Sequence, residues 1–253
     1  MRRVGFGRSP KGVAALVVLA GAVMLAPSAR AAVDFYASGG LGLFQMDAVN
    51  ERVDAGNQNC AEIARELNHA GVTAECTPAG RLGAGISAEA GFVLSSQGLV
   101  GVGLGYQYLT GTTSSNLSVQ TGSVSGHYTQ SYTPTAHGPM LKVFLGTPLA
   151  EPASVRFFAG YGRYKASYAE RGQIRGQVDD PDAAEFSHTY QGNADGYEAG
   201  LELRSALGPQ AALLATVGYG WLQVPETMDK DRNPGPALDF TGLRLRGGLS
   251  IAF

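Results

Sequence analysis

The stretch TGLRLRGGLSIAF, from Thr241 to Phe253, decides how this chain reads. Leu243, Leu245, Leu249, Ile251 and Phe253 share one parity of position, with Gly247 as the gap in their row. Arg244, Arg246, Ser250 and Ala252 hold the other. Alternation of period two is the pattern of a strand with two chemically different faces. A tilted strand of about 9 to 11 residues crosses a bilayer, and one with aliphatic and arginine-bearing faces suits a wall between hydrocarbon and a polar lumen. An edge strand of a soluble sheet would alternate in the same way, so the other segments must decide.

The pattern recurs upstream. Val33 to Met46 is strand-like but undecided in parity, because Val33, Phe35, Leu41 and Leu43 oppose Tyr36, Phe44 and Met46. Between Leu82 and Leu94, the row of Ile86, Ala88, Ala90 and Phe92 faces Ser87 and Glu89. Val100 to Tyr108 faces Gly101, Gly103, Gly105 and Gln107, and this glycine row predicts room across a narrow lumen for long side chains from opposite strands. Met140 to Gly146 carries Lys142 on the inner parity. From Val155 to Tyr168, Phe158, Gly160, Gly162 and Tyr164 are predicted outward because Arg163 and Lys165 occupy the opposite row. Tyr197 to Leu203 and Ala211 to Trp221 alternate likewise, the first against Glu198, Glu202 and Arg204. With the closing stretch these make eight strands. Their connections alternate long and short, the long ones covering about residues 47–80, 111–136, 169–193 and 225–238.

Composition and processing narrow the class. Only 16 % of residues are charged, below the usual quarter, and no window holds the 18 or more consecutive apolar residues of a spanning helix. Residues 1–31 read as a cleaved secretory signal: Arg2, Arg3, Arg8 and Lys11 precede the short apolar run Val13–Leu25, and Ala29-Arg30-Ala31 follows. That segment holds five of the 19 basic residues and no acid, so the remainder has 14 basic against 21 acidic residues, a net charge of −7. An acidic mature chain argues against a nucleic-acid partner. Cys60 and Cys76 are the only cysteines, and an even count in an exported chain predicts one disulfide. It would close the first long connection, where CAEIARELNHA suggests a short helix with Ile63, Ala64 and Leu67 on one face.

An amphipathic last strand closing on Phe253 resembles the assembly signal of bacterial outer-membrane β-barrel proteins, carried here by Leu249, Ile251 and Phe253. The eight alternating segments and the long–short connections are similar to the small barrels of the OmpA transmembrane domain, OmpX and Ail type. The resemblance implies an all-β fold, an eight-stranded antiparallel up-and-down transmembrane β-barrel over residues 32–253. It places the chain in the bacterial outer membrane with periplasmic termini and extracellular long loops, among outer-membrane lipid, lipopolysaccharide and the barrel-assembly machinery.

Two aromatic girdles are expected on this barrel. Phe35 or Tyr36, Phe92, Phe144, Phe157 or Phe158 and Phe253 would mark the short-turn level, and Tyr106, Tyr108, Tyr164, Tyr219 and Trp221 the long-loop level. An eight-stranded lumen is just wide enough for side chains to fill it, so the inner charges Glu89, Lys142, Arg163, Glu198, Glu202, Arg244 and Arg246 are expected to pair as a sealing network.

Such a chain reads as a structural surface protein whose loops meet a host or cell-surface ligand, with no catalytic centre, metal or cofactor. A different class, a lipid A-modifying enzyme of the PagL or PagP type, would need an oriented base among His127, His137 and His188. The PagL-like serine two residues after the histidine is absent, since Thr129, Pro139 and Tyr190 stand there. A narrow pore is the third reading, and a filled lumen argues against it. The acidic residues from Asp179 to Glu185 read as a solvated loop or a weak divalent-cation holder.

Overall fold

A computed structural model describes residues 31–96, 100–122, 124–176 and 185–253. The expected signal segment, Ala31 apart, and the acids Asp179, Asp180 and Asp182 lie outside the described residues. The elements in chain order are β1 (Ala31–Leu43), α1 (Asp47–His69), β2 (Thr73–Thr77), β3 (Ala84–Ser96), β4 (Val100–Thr110), β5 (Thr113–Thr121) and β6 (Val124–Pro148). They continue with β7 (Ala153–Gly176), β8 (Phe186–Ala206), β9 (Ala211–Val224), β10 (Leu238–Asp239) and β11 (Gly242–Ala252).

Eight of these strands close a ring by antiparallel pairing in the order β1, β3, β4, β6, β7, β8, β9 and β11, and β11 returns to β1. Closure removes the unpaired edges that an open sheet would expose. Alternation sorts the side chains: Phe35, Leu41, Ile86, Leu104, Leu145, Phe157, Leu201, Leu213, Val217, Leu245, Leu249 and Ile251 are exposed on the outer wall. The register settles the undecided first strand, where Phe35, Leu41 and Leu43 point out and Asp34 and Tyr36 point in. At the seam, the Phe253 amide donates to the Val33 carbonyl at 3.0 Å, and the Phe253 ring meets Phe35 edge-on at 5.7 Å.

The long connections are more structured than the sequence reading foresaw. The first contains a helix of 23 residues rather than a short one. The predicted strand from Leu82 begins at Ala84, and Leu82 is instead buried beneath the helix. Residues 111–136 and 169–193 are largely strand, because β6, β7 and β8 run for 25, 24 and 21 residues while the other ring strands run for 11 to 14. The surplus carries a sheet beyond the ring, in which β2 pairs with β5, β5 with β6 and β6 with β7. This upper structure, with α1 packed on it, is a crown on the barrel.

On β7 the predicted outward row points inward. Phe158 and Tyr164 are buried, whereas Phe157, Arg163 and Lys165 are exposed on the outer wall. Phe144, expected in the outer girdle, is buried against Phe158 with ring centroids 6.2 Å apart. The inside rule for charge failed there because Arg163 and Lys165 lie at the top of the exposed aliphatic band, where a charge on the outer wall costs little.

Candidate functional site

The lumen is filled by charge in three tiers. Nearest the short turns, Arg204 donates to Asp34 at 2.6 Å. Above it, Arg156 donates through Nε to Glu202 at 2.9 Å and through a second guanidinium nitrogen to the same oxygen, while its plane stands 4.7 Å over the Phe144 ring. The third tier is the largest. Glu89 accepts from Lys142 at 2.6 Å, from Arg246 at 2.7 Å and from the Tyr36 hydroxyl at 2.6 Å. Glu198 accepts from Arg244 at 2.7 Å, from the Gln107 amide at 2.6 Å and from Arg246. The Gln107 carbonyl accepts from Tyr164 at 2.7 Å and from Arg244 at 2.8 Å, so this neutral residue joins both halves of the tier.

The register explains why these groups meet. Glu89 and Gln107 are cross-strand partners on β3 and β4. A side chain at Gly220 would collide with the Arg244 guanidinium, and one at Gly105 would collide with the Tyr36 hydroxyl. The inner glycines are therefore seats for long polar side chains from neighbouring strands. Burying an isolated ion costs several kcal/mol, and each carboxylate of the central tier offsets that with at least three donors.

Of the residues singled out in the sequence, Glu89, Lys142, Glu198, Glu202, Arg244 and Arg246 face the lumen, and Arg163 does not. Sequence reasoning passed over Tyr36, Gln107, Arg156, Tyr164, Asp34 and Arg204 as members. Gln107 stood in the glycine row opposite Glu89, and Arg204 stood two positions from Glu202, so parity could have included both. Arg156 and Tyr164 were lost with the inverted reading of β7.

Above the charge the mouth is apolar. Met46, Val49 and Val53 of the helix segment pack with Leu82, Leu109, Tyr132, Ala136, Met140, Tyr164, Ala166, Tyr168, Leu222, Val224, Leu238 and Phe240 in one buried cluster. A second cluster joins Cys60, Ala64, Ile63 and Leu67 to Ala74, Leu117, Val119 and Tyr128 of the sheet. The Cys60–Cys76 disulfide links α1 to β2 with Cα atoms 5.8 Å apart.

Three asparagines clamp the returning chain to the helix. Asn50 bridges the Leu82 backbone, donating at 2.8 Å and accepting at 2.7 Å, and Asn57 and Asn68 do the same at Ala79 and Ala74. On the opposite side Arg52 lies 3.7 Å from Glu170 and 5.3 Å from the Tyr190 ring centroid. Burial, with Glu170 nearby, pushes the Tyr132 hydroxyl up to about 12.

The three histidines lie on different parts of the wall and crown. The His137 ring shares a hydrogen bond with the Tyr106 hydroxyl on the outer wall, and His188 lies against Phe186 with ring centroids 5.7 Å apart. His127 is exposed on the outer face of the crown sheet. Among the described residues none of the three is hydrogen-bonded to a serine or a carboxylate.

Three solved structures are similar to this chain at 11–12 % identity. A major outer membrane protein of Thermus thermophilus matches at a TM-score of 0.42 over 88 % of this chain and 99 % of that one. OprG of Pseudomonas aeruginosa matches at 0.39 over 89 % and 97 %, and Ail of Yersinia pestis at 0.30 over 88 % and 97 %. No curated protein matches the chain. The model of the outer membrane protein β-barrel domain matches residues 13–249, which include seven ring strands whole and β11 up to Leu249. With its closed ring, aliphatic outer wall and charged lumen, the chain belongs to the outer membrane protein β-barrel domain family and is an outer-membrane protein.

Proposed function

We propose that this is a non-enzymatic surface protein, in which the barrel is a closed anchor and the crown is the working part, presented outside the cell with the short turns and termini in the periplasm. One observation carries this reading: a disulfide-stapled crown with its own apolar core stands on a lumen occupied by ion pairs from wall to wall. A path for solutes would have to break both the charged tiers and the apolar mouth, which favours an anchor over a pore. The placement of His137 against Tyr106 on the outer wall, and of His127 and His188 on different strands of the crown, favours binding over lipid A chemistry. The partner would be a host or cell-surface molecule, and Leu249, Ile251 and Phe253 would be read by the assembly machinery during insertion.

The solvent side of α1 presents Glu51, Glu62 and Glu66, all exposed and separated from the lumen by the apolar mouth. Reversing these three charges to Lys should leave the folded, heat-modifiable band intact and lower adhesion of expressing bacteria to host cells or to other bacteria. If expression of the intact protein in a non-adherent strain adds no adhesion to either, the reading is wrong. A changed lipid A mass spectrum on expression would replace it with an enzyme.

A further inference from the structure

The outer faces of β4, β6, β7 and β8 can be followed row by row through their register. The first row holds Leu104, Leu141, Tyr161 and Tyr197. The next holds Tyr106 beside Pro139, and Arg163 beside Asp195. The third holds Tyr108, His137, Lys165 and Asn193, and the fourth Thr110, Thr135, Ser167 and Gln191. Successive rows are about 7 Å apart along a strand. Within about 20 Å the wall thus passes from aliphatic through aromatic and cationic to hydroxyl and amide groups.

Arg163 and Lys165 sit where rings mark the edge of the hydrocarbon. Both are exposed, and among the described residues neither has a carboxylate oxygen within 4.0 Å. Asp195 is the one acid in these four rows, directly across from Arg163, and the neighbours of Lys165 are His137 and Asn193. On the flanking strands the register sets Ala90, Ala88 and Ile86 of β3 against Tyr106, Tyr108 and Thr110, and Trp221 of β9 against Tyr197, so the cations of these rows are confined to β7. Water alone gives no reason for that confinement. A guanidinium and an ammonium two residues apart on one strand face match the donor pattern that a phosphate accepts. Tyr106 and Asn193 beside them and the Thr135–Ser167 row above supply hydroxyls and an amide, suited to a sugar.

We propose that Arg163 and Lys165 form a site for the phosphate of a phosphorylated glycolipid headgroup in the leaflet at the long-connection end, with His137, Tyr106 and Asn193 at its rim. The site rests on outer-membrane placement and not on the crown reading, so either can fail without the other.

The test uses the full folded protein in detergent and bisphosphorylated lipid A as probe, with bound lipid counted by native mass spectrometry. R163Q/K165Q should weaken lipid A binding by about thirtyfold, the effect of removing two interfacial cations, while R163K/K165R and the distant R171Q retain it. Lipid A stripped of its phosphates should bind wild type as poorly as lipid A binds the double variant. Should the double variant fail to give a heat-modifiable band, K165Q alone should weaken binding about fivefold. Equal binding of lipid A by wild type and the charge-removing variant, or of stripped and phosphorylated lipid by wild type, would overturn the site. Displacement by inorganic phosphate, or equal binding of an anionic phosphoglycerolipid, would overturn the glycolipid assignment.

Discussion

The lower and upper halves of β6 and β7 are continuous strands with opposite chemistry. Below the girdle, the inner row carries Lys142 and Arg156 while Leu141, Leu145 and Phe157 face out. Above it, the inner row carries Tyr132, Ala136, Ala166 and Tyr168, whereas Thr129, Ser131, Arg171 and Gln173 face out. Neither strand flips its geometry, since the β6–β7 pairing keeps one antiparallel sense throughout. Only the solvent outside changes. In the barrel, hydrocarbon rewards aliphatic side chains on the outside and leaves the lumen to pairs of charges. In the crown, water restores the ordinary order, with apolar side chains inside.

The contrast predicts different failures on mutation. The largest effect belongs to the charged tiers. E89Q/E198Q leaves Lys142, Arg244 and Arg246 without their carboxylates, and removing one partner of a buried pair costs about 3 to 5 kcal/mol. The heat-modifiability transition in detergent should fall steeply, and an unchanged transition would mean that the tiers are not holding the barrel. Next in size, C60S/C76S removes a closure of 16 residues in sequence, about 3 kcal/mol in the chain-entropy model. That loss should appear in the crown alone, as faster proteolysis between β1 and β3 with the barrel transition unmoved. N50A strips both hydrogen bonds from the Leu82 backbone, about 2 kcal/mol, and should loosen the same segment to a smaller degree.

How much of this was legible in the sequence follows from the same contrast. Period-two rows gave seven of the eight ring strands, because in the barrel the polarity of each face is nearly pure, and the first was read as a strand with its parity undecided. Glu198 and Glu202 fell inside by parity alone. Arg163 was misread because the rule that places charge in the lumen holds only below the girdle, and β7 crosses it between Tyr161 and Lys165. The helix was underestimated since its first half, Asp47 to Asn59, buries only Val49, Asn50 and Val53 and is otherwise mostly polar. The asparagine clamps join positions 32, 22 and 6 residues apart, beyond any local pattern.

The smallest expected effect lies in the last long connection. Asp229 accepts from the Asn233 side chain at 2.8 Å and from the backbone amides of Asp231 and Asn233. The Asn233 side chain first, then those amides, holds the Asp229 carboxyl below its ordinary range. A depressed carboxyl stabilises the folded loop above its ordinary pKa, and that contribution is lost as pH falls through the lower folded value. Protection of the amides in residues 229–235, taken relative to their intrinsic exchange rates, should therefore fall on acidification below the ordinary Asp range. D229N should flatten that response without touching the barrel.

The inversion itself is tested by a single accessibility scan. Nitroxide labels placed one at a time at Thr129, Thr133, His137, Leu141 and Leu145 of β6, in lipid vesicles, report collision with dissolved oxygen against a water-soluble nickel chelate. The account predicts nickel-dominated collisions at Thr129 and Thr133, oxygen-dominated collisions at Leu141 and Leu145, and the crossover at His137. Nickel-dominated collisions along the whole row would make the outer wall a solvated face and contradict the account.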